Sequence, residues 1–321
     1  MRLEPVETWE QLPAGRRHDD VAAVAVDSRD RVYLFTRRDP AVLVYERDGR
    51  FVRAWPDGLF SERAHGITIG PGDSVYCVDD ADHSVRKFTT DGELLLTLGT
   101  RGQASDTGYD GSDLATIARG GPPFNRPTNL AVAPNGDLYV SDGYGNARVH
   151  QFRADGQLIR SWGQPGGGPG EFRLPHGICV LGDGRVLVAD RESDRIQVFD
   201  PDGRYLEEWR DIQRPTQLCV GPDGLIYVSE LWWRKGQRSE RFGEITADRY
   251  GRVSALRPDG SVVGRWGGSA PGTPGGFTAP HGIAVDSRGD VYVAEVTYTF
   301  GVAPGLVSPG RAPTLQKLAP R

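Results

Sequence analysis

Short segments in which hydrophobic and polar residues alternate recur along the whole chain. The segment AVDSRGDVYVAE (284–295) has five relatives: AVDSRDRVYLFT (25–36), TIGPGDSVYCVD (68–79), AVAPNGDLYVSD (131–142), CVLGDGRVLVAD (179–190) and CVGPDGLIYVSE (219–230). Each one consists of an apolar strand, a turn built on Gly, Asp, Asn or Pro, and a second alternating strand. The pattern therefore predicts six β-hairpins.

A third strand follows each hairpin, and in five of the repeats an Asp-Gly turn then opens a fourth strand. These turns are Asp48-Gly49, Asp91-Gly92, Asp155-Gly156, Asp202-Gly203 and Asp259-Gly260. Four strands per unit, at a period of roughly 40–50 residues, are typical of a β-propeller. Six hairpins predict six blades. The spacing lengthens at residues 100–124 and 231–250, which predicts a loop inserted between strands at each place.

The sixth repeat lacks an Asp-Gly turn with a following strand, but the missing strand is found at the other end of the chain. The segment PVETW (5–9) resembles FVRAW (51–55), the fourth strand of the first repeat. We therefore expect the N-terminus to supply the outer strand of the last blade, which hides a sheet edge. The prediction is an all-β, six-bladed propeller that forms a single domain over residues 1–321.

Composition and charge argue against some classes of binding partner. The 321 residues are 38% hydrophobic and carry a net charge of −5, which gives no reason to expect nucleic acid or an acidic membrane. No apolar run reaches the length of about 18 residues that a spanning helix needs, and the N-terminus lacks the apolar core of a secretory signal. Cys77, Cys179 and Cys219 are predicted to be buried free thiols. We expect a cytoplasmic monomer that acts on a small molecule or a short peptide-derived substrate.

Three of the six histidines lie at the same position of the repeat. The residue three places before each shared AV or its equivalent, here named the ring position, is Ala22, His65, Thr128, His176, Thr216 and His281. The motif PHG suits the entry of a strand, which explains any one of these histidines but not their restriction to blades 2, 4 and 6. Imidazoles about one-third of a turn apart around a channel predict an open three-ligand metal site. Zinc fits these ligands best, with another divalent ion as the alternative.

The loops that follow each hairpin belong to the same end of the blades. Their acidic residues recur in one register, so we expect them to accept hydrogen bonds from turn amides. They are Asp79, Asp142, Asp190, Glu230 and Glu295. Arg37, Arg38 and Tyr144 also lie in these loops but do not recur. They are therefore the better candidates for chemistry.

Three segments carry a family resemblance. SDGYGNARVHQF (141–152), LPHGICV (174–180) and VADRESDRIQVF (188–199) resemble, in this order, the catalytic propeller of the peptidyl-α-hydroxyglycine α-amidating lyase family, which is built from six NHL-type repeats. The resemblance covers nearly the whole chain. It implies that His65, His176 and His281 bind zinc, that Tyr144 is the catalytic base, and that Arg37, or alternatively Arg38, binds the substrate carboxylate.

The implied reaction is the cleavage of the C–N bond of an α-hydroxyglycine, which gives an amide and glyoxylate. Ala279 and Gly282 replace a methionine and an aspartate of the animal enzymes, which puts the family's structural calcium ion in doubt. The 321 residues hold no monooxygenase domain, which favours another small carbinolamide or hydroxylated substrate. Two alternatives stay open: a metal-dependent hydrolase, for example a lactonase, and a non-catalytic propeller whose rim binds a protein.

Overall fold

The computed structural model describes residues 2–273 and 275–321, which form six four-stranded antiparallel sheets. These sheets are the blades of the six-bladed β-propeller that the repeats predict. We number the blades in chain order of their innermost strands. The chain separates into two compact units, and each is described by itself. The single domain predicted over residues 1–321 stays a prediction.

The first unit holds blades 1, 5 and 6 and comprises the chain up to Leu59, Thr216–Arg238 and Phe242–Arg321. The strands of blade 1 are Val21–Val26, Val32–Thr36, Val42–Tyr45 and Phe51–Ala54. Those of blade 5 are Pro215–Val220, Ile226–Glu230, Arg252–Leu256 and Val262–Gly267. Those of blade 6 are Pro280–Val285, Val291–Glu295, Leu315–Pro320 and Leu3–Val6, and a π-helical turn covers Tyr298–Val302.

The second unit holds blades 2, 3 and 4 and comprises Phe60–Pro215 with Ser239–Arg241. The strands of blade 2 are Ala64–Ile69, Val75–Asp79, Ser84–Phe88 and Leu94–Leu98. Those of blade 3 are Pro127–Val132, Leu138–Asp142, Arg148–Phe152 and Leu158–Trp162. Those of blade 4 are Pro175–Val180, Val186–Asp190, Arg195–Phe199 and Tyr205–Trp209. Short 3₁₀ turns cover Pro71–Asp73, Leu114–Thr116 and Arg191–Ser193.

The N-terminal strand completes blade 6, as predicted. Leu3–Val6 pairs antiparallel with Leu315–Pro320, so that Leu3 lies opposite Pro320 and Val6 opposite Lys317. The strand is two residues earlier than the segment PVETW suggested. Trp9 lies beyond it and packs between Tyr45 and Tyr292, at ring-centroid distances of 5.6 and 5.3 Å. The N-terminus therefore stabilises the first unit through strand pairing and through an aromatic contact.

Burial falls from the inner to the outer strands of each blade. The second strand of blade 1, Val32–Thr36, is buried at all five positions, whereas the outer strand of blade 5, Val262–Gly267, alternates between partly buried and exposed residues. Strands that are covered on both faces read as continuous apolar runs, and strands with one wet face alternate. The second strands, which the sequence pattern describes as alternating, are in fact buried at every position in all six blades.

The turn and loop predictions are confirmed. The glycines of the five Asp-Gly turns have φ between 81° and 93°, a left-handed conformation that glycine adopts at no steric cost. Residues 100–124 and 231–250 both connect strands, and the second segment contains the short strands Arg238–Ser239 and Gly243–Glu244. The cysteine prediction needs one correction: Cys77 and Cys179 are buried free thiols, but Cys219 is only partly buried. Within the described residues, no helix is long and apolar enough to cross a membrane.

Candidate active site

A β-bulge sets the direction of the side chain at the ring position. In blades 2 and 4 the register between the two innermost strands shifts at His65 and at His176, so that these residues have no partner in the ladder. The same shift occurs at Ala22, Thr128 and His281. A bulged residue is re-aimed out of the regular alternation of a strand. In these five blades the repeat thus presents the side chain of the ring position in a non-standard direction.

The glycine that follows a ring histidine allows a close approach of two strands. A Cβ atom on Gly66 would lie 2.8 Å from the carbonyl oxygen of Thr128, and one on Gly282 would lie 2.7 Å from Cα of Ala23. Such distances are too short for any other residue. The motif His-Gly therefore combines a re-aimed imidazole with a backbone that fits against the neighbouring blade.

Backbone carbonyls fix two of the histidine rings. Nδ1 of His65 lies 2.5 Å from the carbonyl oxygen of Thr128, and Nδ1 of His281 lies 2.6 Å from that of Ala22. Since a carbonyl can only accept, each Nδ1 carries the proton and each Nε2 has a lone pair when the ring is neutral. A hydrogen bond from the other ring nitrogen to a carbonyl orients histidines that bind metal ions. The partners, Thr128 and Ala22, occupy the ring positions of odd-numbered blades.

In the second unit, His65 and His176 converge on Tyr144. Their ring centroids are 4.8 Å apart, and both side chains are buried. The hydroxyl of Tyr144 lies 3.1 Å from Nε2 of His65 and 3.0 Å from Nε2 of His176. The structure thus brings together three of the predicted site residues. His281 belongs to the first unit, where its ring is buried in the same register.

The loop that carries Tyr144 is fixed by the insertion at residues 100–124. Oγ1 of Thr107 donates to the carbonyl oxygen of Gly145 at 2.5 Å. The side chain of Asn146 accepts from the amide of Gly121 at 3.1 Å. A Cβ atom on Gly145 would lie 2.1 Å from Oδ1 of Asn125, so a larger residue there would displace the side chain of Asn125. The insertion therefore helps to position the tyrosine.

Three guanidinium groups surround the ring of Tyr144. Cζ of Arg63 and Cζ of Arg126 lie 5.7 Å from the ring centroid, and Cζ of Arg191 lies 5.6 Å from it. Nη1 of Arg191 also donates to the phenol oxygen at 3.3 Å. These groups place positive charge around the one hydroxyl that both histidines face.

A buried carboxylate, Asp80, and a partly buried one, Glu192, balance part of this charge. Asp80 accepts from Nη2 of Arg63 at 2.7 Å and from Nη2 of Arg126 at 3.0 Å. Glu192 accepts from Arg191 and from Arg214, both at 2.7 Å. Burial opposes ionisation of Glu192, but the two arginines outweigh it and hold its pKa at about 2. Asp194 also interacts electrostatically with Arg214, so four arginines and three carboxylates form one charged cluster beside Tyr144.

In the first unit, Arg37 and Arg38 are paired with acidic residues. Nη1 of Arg37 lies 3.5 Å from Oδ2 of Asp20 and donates to Oγ1 of Thr299 at 3.3 Å. Arg38 forms an ion pair with Asp19 and is about half exposed. The structure thus gives each candidate a carboxylate partner. The roles that the resemblance implies for them stay predictions.

The recurring acidic residues have the structural role that the sequence predicts. Asp190 accepts from the amides of Arg173 and Leu174, both at 3.0 Å, and Glu295 accepts from those of Thr278 and Ala279 at 2.6 and 3.1 Å. Asp79 and Asp142 each accept from an amide in the same way. Glu230 accepts from the side chains of Arg252 and Ser254. Burial raises the pKa of Glu295 to about 7.

The sequence analysis missed Arg63, Arg126, Arg191 and Arg214. A signal for three of them was present in the repeat alignment, because Arg63, Arg126 and Arg214 all lie two places before the ring position. Arg191 directly follows Asp190 of the recurring acidic register. The alignment that found the histidines would therefore have found these arginines at neighbouring columns.

Comparison with known proteins agrees with this architecture. The NHL repeat model matches residues 124–152, 172–199 and 277–300. Human NHL repeat-containing protein 3 is 32% identical over 291 residues, which cover 85% of this chain and 76% of that protein. Peptidyl-alpha-hydroxyglycine alpha-amidating lyase 1 of Drosophila melanogaster is 30% identical over 280 residues, which cover 81% of this chain and 47% of that protein.

Among solved structures, a gluconolactonase from Xanthomonas campestris matches with a TM-score of 0.60 over 94% of this chain and 86% of that one. At 15% identity this likeness shows the fold alone. The two sequence relatives carry more weight, because they span most of the chain at about twice that identity. The chain belongs to the family of NHL-repeat β-propellers, and its predicted homology to the amidating lyases is confirmed.

Proposed function

We propose that this chain is a zinc-dependent carbon–nitrogen lyase that acts on a small carbinolamide of the α-hydroxyglycine type. The observation that carries the proposal is the convergence of Nε2 of His65 and Nε2 of His176 on the hydroxyl of Tyr144, at 3.1 and 3.0 Å. Homology to an amidating lyase at 30% identity supports the same chemistry.

The residues fit a metal ion of the zinc type. The bond from Nδ1 of His65 to a carbonyl leaves its Nε2 with a lone pair that faces Tyr144. Nδ1 of His281 is held by a carbonyl in the same manner. The hydroxyl has one proton and faces two ring nitrogens, so a cation would satisfy this donor set better. We propose His65, His176 and His281 as the three ligands, with imidazoles alone favouring zinc over calcium.

A bound zinc ion would supply a Lewis acid that polarises an oxygen of the substrate. In the proposed reaction the phenol oxygen of Tyr144, in its ionised form, accepts the proton of the substrate's hydroxyl group. The electrons of that O–H bond form the C=O bond of glyoxylate, and the C–N bond breaks. The amide nitrogen takes up the proton that Tyr144 accepted, which completes the amide product and returns Tyr144 to its starting form. Arg191, which donates to the phenol oxygen, stabilises negative charge there before the transfer.

Metal analysis with a product assay tests the proposal. Wild type and the variants His65→Ala, His176→Ala and His281→Ala are assayed for zinc content and for glyoxylate release from α-hydroxyhippurate. We expect about one zinc per chain in wild type, and loss of zinc and of glyoxylate release in each variant. His18→Ala is the control, since His18 is bound to Glu10 and Thr314 and not at the ring position.

Two results would contradict different parts of the proposal. Full zinc content in all three variants would show that the ring histidines are not the ligands. Zinc binding without glyoxylate release, together with hydrolysis of a lactone such as gluconolactone, would replace the lyase by a hydrolase.

A further inference from the structure

The ion pairs of blade 2 and blade 3 share one carboxylate. Asp80 is fully buried and accepts three hydrogen bonds from Arg63, at 3.3, 3.1 and 2.7 Å, and two from Arg126, at 3.3 and 3.0 Å. One negative charge therefore serves two guanidinium groups. The pair Arg63–Arg126 retains a net charge of +1 after Asp80 is counted.

Beside Arg214 the cluster contains two further carboxylates, Glu192 and Asp194. Glu192 is the acceptor for Arg191 and Arg214, so it also serves two arginines. His83 lies beside Arg126 and accepts from its amide at 3.0 Å, and burial lowers the pKa of this histidine. Arg214 thus interacts with two carboxylates, whereas Arg63 and Arg126 both bind Asp80.

Exposure separates the arginines of this cluster. The side chains of Arg63 and Arg126 are 36% and 24% exposed, whereas those of Arg191 and Arg214 are 8% and 9% exposed. The first two thus present their charge to a molecule that enters from solvent. The other two support Tyr144 and Glu192 from within the protein.

We infer that Arg63 and Arg126, held together by Asp80, bind the acidic group of the substrate. The inference rests on the proposed function and names the residues that recognise the carboxylate of its substrate. A planar guanidinium suits a carboxylate, and two of them with one shared counterion form a preformed anion site. Both lie 5.7 Å from the ring centroid of Tyr144, so a bound carboxylate would place the neighbouring carbon close to the phenol oxygen.

Binding of an unreactive analogue tests the inference. Hippurate has the carboxylate of an acylated glycine but lacks the hydroxyl group, and hippuramide is its uncharged counterpart. Calorimetry with the zinc-loaded full chain should show that Arg63→Gln and Arg126→Gln each weaken hippurate binding at least tenfold. Hippuramide should bind weakly and equally to all variants. Arg101→Gln is the matched control, because Arg101 is 59% exposed and pairs with Asp82.

Each variant leaves Asp80 with one arginine, so we expect the fold to be kept, which circular dichroism checks. If either variant fails to fold, the corresponding lysine variant takes its place; it keeps the charge but loses the fork, and it should bind hippurate more weakly than wild type. Hippurate binding within twofold of wild type in both glutamine variants would overturn the inference, as would no binding to wild type. The assay needs no turnover, so a chain that binds hippurate through these arginines but releases no glyoxylate would disprove the lyase and keep the anion site.

Discussion

Blades 1 and 2 carry an ion pair at the same two positions, with the charges exchanged. In blade 1 the acid, Asp20, lies two places before the ring position and the base, Arg37, lies in the loop after the second strand. In blade 2 the base, Arg63, precedes the ring position and the acid, Asp80, lies in the loop. The backbone bond between the two positions is 3.3 Å in both blades. The repeat thus fixes the geometry but not the direction of the pair.

The surroundings of the two carboxylates give the pairs different roles. Asp20 binds one arginine and also accepts from the amides of Tyr298 and Thr299, at 2.7 and 3.1 Å. It therefore helps to hold the π-helical turn that begins at Tyr298. Asp80 binds two arginines. The pair in blade 1 is neutral and structural, whereas the pair in blade 2 leaves positive charge beside Tyr144.

The largest effect is expected at the tyrosine that the arginines of blades 2, 3 and 4 surround. Tyr144→Phe removes the hydroxyl that faces both histidines, so kcat should fall by about 10²–10⁴-fold, the usual contribution of a positioned general base. Zinc content and the melting temperature should stay at wild-type values. Tyr205→Phe, in the outer strand of blade 4, is the control. Near-normal turnover of the Tyr144 variant would show that another residue is the base. Asp79 and Asp142 would then be the next residues to substitute.

A pH series on the variant Glu192→Gln tests whether the charge of Glu192 stabilises the fold. The pKa of Glu192 is about 2 in the folded protein, below its ordinary value of 4.5, so the ionised carboxylate stabilises the fold. This contribution is complete above pH 4.5 and is lost as the pH falls toward 2. Glu192→Gln should therefore lower the free energy of unfolding by about 3 kcal/mol at pH 7. Urea unfolding should show the gap between wild type and variant closing below pH 4.5.

A gap of constant size from pH 7 to pH 3 would contradict this assignment. It would mean that Glu192 stabilises the fold through packing and not through its charge. Asp183→Asn is a control on the exposed surface of blade 4, where the carboxylate is half exposed and binds the neighbouring Arg185. Surface ion pairs contribute about 0–1 kcal/mol, so the control should change little.

Matched asparagine variants test the difference between the two pairs. Asp80→Asn places an amide group against one of two guanidiniums, whereas Asp20→Asn can keep the oxygen that accepts from Tyr298 and Thr299. Bonds between charged groups contribute about 1.5–3 kcal/mol. We expect Asp80→Asn to lower the free energy of unfolding by about that amount and Asp20→Asn by about 1 kcal/mol or less. An equal or larger loss in the Asp20 variant would show that the pair in blade 1 is the stronger one.

The fold could be predicted well from the sequence because six copies of the repeat carry the same pattern. Hairpins, Asp-Gly turns and the ring position recur, so an error in one blade is corrected by the others. The predicted closing strand begins two residues later in the chain than the observed one, Leu3–Val6. The prediction aligned PVETW by its tryptophan, but Trp9 packs beyond the end of the strand. Among the cysteines, Cys219 is only partly buried, although its strand pattern is as apolar as the others.

The site was predictable only as far as its residues follow the repeat. His65, His176 and Tyr144 stand out in the alignment, and the structure brings them together. The counterions of Arg37 and Arg63 do not stand out, because each ion pair joins a strand entry to a loop 17 residues later in the chain. Arg63 and Arg126 both bind Asp80, and this contact between two blades forms only in the folded protein. That sharing has no signature in one sequence.

The smallest effect is expected at Arg37, and it decides which arginine binds the carboxylate. If blade 1 carries a neutral structural pair, Arg37→Gln should change KM for α-hydroxyhippurate by about twofold or less. Arg63→Gln should raise KM at least tenfold with little change in kcat, because it removes binding made in both the ground state and the transition state. Arg38→Gln, about half exposed and paired with Asp19, should resemble wild type. A large rise in KM for Arg37→Gln with normal values for Arg63→Gln would instead support the role that the family resemblance gives to Arg37. In that case the exchange of charges between the blades would be a structural variation without a part in substrate binding.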